Sequence, residues 1–500
     1  MNRREFLQAS ATTTAAAALG ATAQAAEGRR MPNLLYIFSD QHRALSLPGE
    51  AYSPVVAPNI EAFGRQNFSM EQCVSNYPLC TPYRGILISG RWPYQTGIIH
   101  NNMSIGTDEY SLGTAFKEAG YHTGYVGKWH LQGDDRSFVP PGPERQGFED
   151  WHAWGDTNAH YHSFTYDPNT GEKIQPPGWN CKSMTDQAIE FLGRQSGDRP
   201  WLLVVSWNPP HPPFNPPKED ADLYPTDALQ PRPNVRLSLA GQDVQGAAKP
   251  LTSDEALRQA MQGYYGGITG VDKEFGRLLA ALEEAGHADD TIVVYTSDHG
   301  EMLGSQGRMS KQVPFEESCR VPFFVRYPGV TPSGAESEML FAAVDIYPTL
   351  CGLAGIEVPK HCVGRDLSEV MRGIDVTPQH FVFLMNQVPQ RAVAADIQQD
   401  DEEPKAEQPP AGRHLNIEFV NLPTYRGVRT ATHTYAVASS GRWCLYDNRT
   451  DPYQLNNLVR DLSQHALLAS LDAEVMKWLR QTGDPFPYAD AISRFSDFPA

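Results

Sequence analysis

The sequence predicts an α/β protein, with a large, mostly parallel sheet sandwiched by helices and a smaller C-terminal α+β subdomain. Three observations carry this. Short apolar runs recur along the first 300 residues, each ending in polar side chains. One long helical pattern separates two of them, and the last quarter turns to short strands before a terminal helix.

The first run, Asn33-Leu-Leu-Tyr-Ile-Phe-Ser39, ends in Asp40-Gln41, as a buried parallel strand does when its loop carries polar groups. Gly120 to His130 reads as a helix end running into a strand. Trp201 to Trp207 ends in Asn-Pro-Pro-His211, and Thr291 to Ser297 ends in Asp298-His299-Gly300. Between these last two, Leu257, Met261, Ile268, Val271, Phe275, Leu278, Leu279 and Leu282 recur at helical spacing from Asp254 to a stop at Gly286. Strand, helix, strand with polar strand ends is the pattern of an open sheet, whose ligands lie beyond the C-terminal ends. Short strands are expected at Tyr425-Arg-Gly-Val-Arg, Thr434-Tyr-Ala-Val and Trp443-Cys-Leu-Tyr-Asp. The stretch 395–412, with Asp-Asp-Glu-Glu and Pro-Pro, reads as an acidic surface insertion. Residues 220–250 are irregular and are candidates for a substrate rim. His160 and His162 would share a face if their segment were a strand.

Five hundred residues leave room for a large core. A formal charge of −18 argues against nucleic acid as a partner, so any anion site must gather its cations locally. No run of about 18 apolar residues marks a membrane anchor. Asn2-Arg3-Arg4-Glu5-Phe6-Leu7, an Ala/Thr stretch and Ala23-Gln24-Ala25 read as a twin-arginine signal peptide over 1–25. Export by the Tat translocase to the periplasm or beyond follows as an expectation. A catalytic domain at 26–378 and a C-terminal subdomain at 379–500 complete the plan. Seven cysteines lack C-x-x-C spacing, which leaves a zinc site unsupported and makes buried free thiols the plainer reading.

The most informative stretch is Cys80-Thr-Pro-Tyr-Arg-Gly-Ile-Leu-Ile-Ser-Gly90. A cysteine, a proline two on and an arginine four on put a reactive side chain beside a fixed cation at a helix start, a natural seat for an oxyanion. This stretch resembles the first signature of the type I sulfatases, whose Cys-x-Pro-x-Arg cysteine is oxidised to formylglycine. Tyr83 stands where that family usually has Ser. Gly120-Tyr-His-Thr-Gly-Tyr-Val-Gly-Lys128-Trp-His130 resembles the second signature, about 40 residues on. Asp451-Pro-Tyr-Gln-Leu-Asn-Asn-Leu458 is similar to the family's closing segment. The resemblance implies an alkaline phosphatase-like fold with a mixed, mostly parallel sheet. It also implies a sulfuric ester hydrolase, acting on a small-molecule or glycan sulfate ester and matured by a formylglycine-generating enzyme.

Residue roles follow from the same resemblance. Cys80, as formylglycine, would be the nucleophile, with Arg84 holding its hydroxyls. Asp40, Gln41, Cys80, Asp298 and His299 would hold a divalent metal. Gln41 stands where many relatives have Asp, and His299 where many have Asn. Oxygen ligands favour Ca²⁺, while an imidazole moves the balance toward Mn²⁺ or Zn²⁺. Lys128 and Lys311 would neutralise sulfate oxygens, His130 would assist proton removal, and His211 would protonate the leaving alcohol. The pairs Asp40-Gln41 and Asp298-His299 also resemble phosphonate monoester and phosphate diester hydrolases, which form the alternative reading. A Cys-x5-Arg phosphatase loop is excluded, because three residues separate Cys80 from Arg84. A non-catalytic anion binder remains the third class.

Overall fold

The computed structural model describes residues 31–133, 138–155, 157–237, 253–388 and 424–493. The leader at 1–25, the insertion at 395–412 and the end of the expected rim lie outside them. Eight strands form the main sheet: β1 (Asn33–Asp40), β2 (Phe68–Val74), β3 (His122–Lys128) and β4 (Asp150–Trp154) come first. A separate small pair, β5 (Thr165–Tyr166) and β6 (Lys173–Ile174), interrupts the series. The sheet then resumes with β7 (Trp201–Pro210), β8 (Thr291–Ser297), β9 (Phe323–Arg326) and β10 (Glu336–Ala342). Spatially they run β10-β2-β9-β8-β1-β7-β3-β4. β9 is antiparallel to both neighbours and every other pairing is parallel, so the sheet is mixed and mostly parallel.

All eight residues of β1 are buried, as an uninterrupted apolar run between two helical layers must be. Leu34, Tyr36 and Phe38 enter one core with residues of the helices Cys80–Ser89 and Ala343–Ala354. Leu35 and Ile37 enter the other, with residues of Asn180–Gly193 and Asp254–Glu284. The long helix begins where Ser253 accepts a hydrogen bond from the Ala256 amide at 3.1 Å. It ends before Gly286, whose φ of +76° reverses the chain.

The smaller sheet is antiparallel, in the order β11 (Val382–Asn386), β12 (Tyr425–Arg429), β13 (His433–Ala438) and β14 (Gly441–Asp447). The three strands expected late in the chain are β12 to β14; the fourth joins from the far side of the insertion. The helix His465–Thr482 packs on this sheet, with Trp478 stacked on Phe383 at 5.5 Å and edge-on to Trp92 at 5.0 Å. The two sheets therefore share one apolar core. Among the described residues no helix is long and apolar enough to cross a membrane. All seven cysteines are free, and six are buried.

Candidate active site

Four adjacent parallel strands, β8, β1, β7 and β3, end at one rim. Asp40 closes β1, Asp298 follows β8, Lys128 closes β3, and His211 follows β7. At the end of β3, Gly127 has φ +105°, and a Cβ there would stand 2.1 Å from the Ser206 carbonyl oxygen. Only glycine lets the two strands approach this closely while Lys128 turns into the site. Cys80 arrives from another direction as the first residue of its helix. Leu79 gives that helix no side-chain cap, and Pro82 in the first turn has no N–H to satisfy. The Thr81 amide donates instead to Asn101 Oδ1 at 3.1 Å.

Cys80 Sγ lies 3.5 Å from Asp40 Oδ1 and 3.2 Å from His299 Nε2. Arg84 reaches Asp40 Oδ2 at 3.2 Å and Asp298 Oδ2 at 3.6 Å, and donates to Ser206 Oγ at 2.7 Å and the Lys128 carbonyl at 2.5 Å. Its guanidinium sits 4.9 Å over the Phe38 ring. Lys128 Nζ donates to Asp40 Oδ2 at 3.0 Å. Asp298 Oδ1 accepts from the Gln41 and His299 amides at 2.9 and 2.8 Å, which fixes its second oxygen toward the cluster. Tyr83, at the position that departs from the family pattern, points away from the rim. Its hydroxyl meets that of Tyr36 at 3.1 Å inside the core.

The charges are strongly coupled. Burial acts to raise the Asp40 carboxyl, but Lys128, His211, His299 and Lys311 outweigh it and hold it well below the usual range. Asp298 is pushed up to about 7, by burial first and then by Asp40 beside it. Burial lowers His299 to about 4, leaving a neutral imidazole, the form that binds metals. Burial and then Lys311 hold His211 well below the usual histidine range. Burial and then Asp40 raise the Cys80 thiol.

Asp40, Cys80, Arg84, Lys128, Asp298 and His299 thus meet directly. Lys311 joins through a hydrogen bond from its ammonium to Gln41 Oε1, while Gln41 Nε2 donates to Glu301. Both ends of the Gln41 amide therefore have partners outside the four-residue cluster. His211 Nδ1 donates to the Pro212 carbonyl at 2.7 Å. His130, with φ +55°, sets Nε2 3.2 Å from Asn102 Oδ1, next in sequence to the Asn101 that holds Thr81.

Several participants carry no sequence signal of their own: Ser206 on Arg84, Asn101 at the helix start, Asn158 Oδ1 at 3.5 Å from Lys128 Nζ, and Glu301. The segment around His160 and His162 is not a strand of either sheet, so the condition for sharing a face is not met. His160 is buried and senses Asp40 and Lys128, whereas His162 is exposed with φ +55°. Trp151 packs on Tyr125 and Trp129 in the core.

The donor set fits a divalent cation. Asp40, Cys80, Asp298 and His299 are all buried and offer ligand atoms within 4.8 Å of one another. Asp298 Oδ2 is buried and accepts no hydrogen bond. Two carboxylates this close repel unless a cation lies between them, which adds to burial in raising Asp298.

Residues 32–356 match the family described as Sulfatase. The chain is 34% identical to an ulvan-active sulfatase of Formosa agariphila over 92% of this chain and 83% of that protein. A solved structure from Bacteroides thetaiotaomicron, described in connection with the metabolism of multiple glycosaminoglycans, superposes with a TM-score of 0.78 at 26% identity. It covers 94% of this chain and all of its own. A phosphonate monoester hydrolase of Silicibacter pomeroyi shares the fold, with a TM-score of 0.71 at 21% identity over 91% of this chain and 96% of its own. With its signature cysteine, arginine and lysine meeting at one buried rim, the chain belongs to the sulfatase family and is a sulfuric ester hydrolase.

Proposed function

We propose that the protein cleaves a sulfate ester of a glycan or small alcohol using residue 80 in its formylglycine form, with a divalent cation held by Asp40, Cys80, Asp298 and His299. Ca²⁺ is the first choice and Mn²⁺ the second, and Gln41 Oε1 is a further candidate ligand. The single observation that carries this reading is the Cys80 sulfur, 3.2 to 3.5 Å from two members of a buried ligand set and on the same helix as Arg84. The cation, when bound, offsets the two carboxylates and polarises what approaches residue 80. The hydrated aldehyde supplies one hydroxyl for attack at sulfur and a second whose deprotonation expels sulfate.

The chain's own residues do the rest. Lys128 and Lys311 place positive charge where the sulfate oxygens gain density, and Arg84 orients the group at residue 80. His130, paired with Asn102, is the residue that assists proton removal. The negative charge of a bound sulfate favours the imidazolium of His211, which then delivers its Nε2 proton to the departing alcohol oxygen as the S–O bond breaks, while Nδ1–H stays on the Pro212 carbonyl. His211→Ala should therefore cost about 10²- to 10⁴-fold in kcat on an alkyl or sugar sulfate and far less on a nitrophenyl sulfate, whose leaving group needs no proton. An equal loss on both substrates would remove His211 from that role.

The glycan substrate class is supported by the relatives named for ulvan and described with glycosaminoglycans. Mass spectrometry of the peptide holding residues 80–84 should show an aldehyde, and kcat/KM should favour an aryl sulfate over an aryl phosphonate. A large phosphonate advantage would favour the second reading, phosphonate monoester or phosphate diester hydrolysis. The Gln41 and His299 positions are what support that reading. Maturation by a formylglycine-generating enzyme and export through the Tat translocase to the periplasm complete the proposal, the latter resting on Arg3-Arg4. Replacing both with Lys should leave the protein in the cytoplasmic fraction; unchanged export would refute the route.

A further inference from the structure

We infer that Glu301 is a positioning residue for Lys311, acting through the Gln41 amide and through the backbone of the loop that carries the lysine. The inference rests on the reading of Lys311 as a cation for sulfate oxygens, and deepens it. Glu301, Gln41 and Lys311 are all buried, at 0%, 0% and 3% exposure. Donor and acceptor types set the pairing among the three. Lys311 Nζ is donor-only, so it must meet Gln41 Oε1; Gln41 Nε2 then faces Glu301, whose carboxylate only accepts. The amide orientation is thus fixed from both ends.

The other carboxylate oxygen of Glu301 holds the loop. Its Oε1 accepts from the Leu303 amide at 2.8 Å and the Ser310 amide at 2.7 Å, and the Met302 amide donates to the Ser310 carbonyl at 2.7 Å. Lys311 is flanked by Ser310 at φ +69° and Gln312 at φ +72°, conformations that non-glycine residues keep only when neighbours enforce them. Gln41 itself stands at φ +79°, with its amide on Asp298 Oδ1 and its carbonyl accepting from the Tyr264 hydroxyl at 2.8 Å. One buried carboxylate therefore ties both ends of the Gln41–Lys311 pair.

An isosteric change separates positioning from bulk. In E301Q the new side-chain carbonyl still accepts from Leu303 and Ser310, but its NH₂ now faces Gln41. The Gln41 amide must then turn over and present its own NH₂ to the Lys311 ammonium. Kinetics on an aryl sulfate with the matured, metal-loaded enzyme should show E301Q lowering kcat/KM about 100-fold, the scale of a misplaced group near the chemistry. Competitive inhibition by inorganic sulfate should weaken, and Tm should stay near wild type. The double variant Q41E/E301Q restores an acceptor to both donors, so it should recover about tenfold or more over E301Q. K311M should be impaired at least as much as E301Q. If K311M is impaired while E301Q matches wild type, or the double variant shows no recovery, the positioning role is wrong and the site reading stands. If K311M itself matches wild type, the role of Lys311 falls and this inference with it.

Discussion

Cys80→Ser should stop steady-state turnover by at least about 10⁴-fold, the scale seen when a covalent nucleophile loses its function. The reason is an exit rather than an attack. A serine hydroxyl at the head of the same helix has the same neighbours: Asp40 and His299 against the side chain, and Arg84 one turn on. Attack at sulfur would give a sulfate ester on residue 80 and release one equivalent of alcohol. Formylglycine hydrate then has a second hydroxyl to push the sulfate off, and serine has none. The serine variant should accordingly accumulate protein heavier by one SO₃ on the peptide containing residue 80, and Cys80→Ala should show neither turnover nor the added mass. Wild-type-like turnover of the serine variant, with residue 80 confirmed as unmodified serine, would sink the formylglycine mechanism.

Metal removal is expected to have the next largest effect. Chelation should lower kcat by about 10³-fold or more, with Ca²⁺ restoring it, because the charge balance of the rim depends on a cation. The pH dependence has a definite sign. Asp298 in the metal-free protein is pushed up to about 7, by burial and then by Asp40, from an ordinary value near 3.8. A raised carboxyl adds stability to the metal-free fold below its unfolded value, and that contribution is lost as pH rises through about 7. Cation binding needs the carboxylate, so apparent Ca²⁺ affinity should fall about tenfold per pH unit below about 7. The measurement is the Tm difference between Ca²⁺-loaded and chelated protein from pH 5 to 8. It should widen with rising pH; a constant difference would mean that Asp298 is not a ligand.

The open sheet was legible because β1, β7 and β8 are apolar runs that end abruptly in polar side chains. The long helix was legible because its apolar spacing, serine cap and terminal glycine agree. His160 and His162 differ in burial because two residues apart in an irregular segment carry no fixed geometry. β11 carries no local signal because a short strand gains its identity from the partner it pairs with, here β12 across the insertion. Tyr83, where the family pattern has Ser, packs inside the core, its ring 6.0 Å from Phe38.

The sequence by itself determined the candidate side chains: a cysteine and arginine in one helical turn, a lysine after a glycine, and acid–amide and acid–imidazole pairs at strand ends. Spacing along the chain specifies chemical type, and these residues occur in recognisable local order. What only the tertiary structure decided is who holds them. Ser206 under Arg84, Asn101 under Thr81, and Glu301 behind Gln41 act across 122, 20 and 260 positions. Such contacts arise where parallel strands bring their ends together, and no local pattern encodes them.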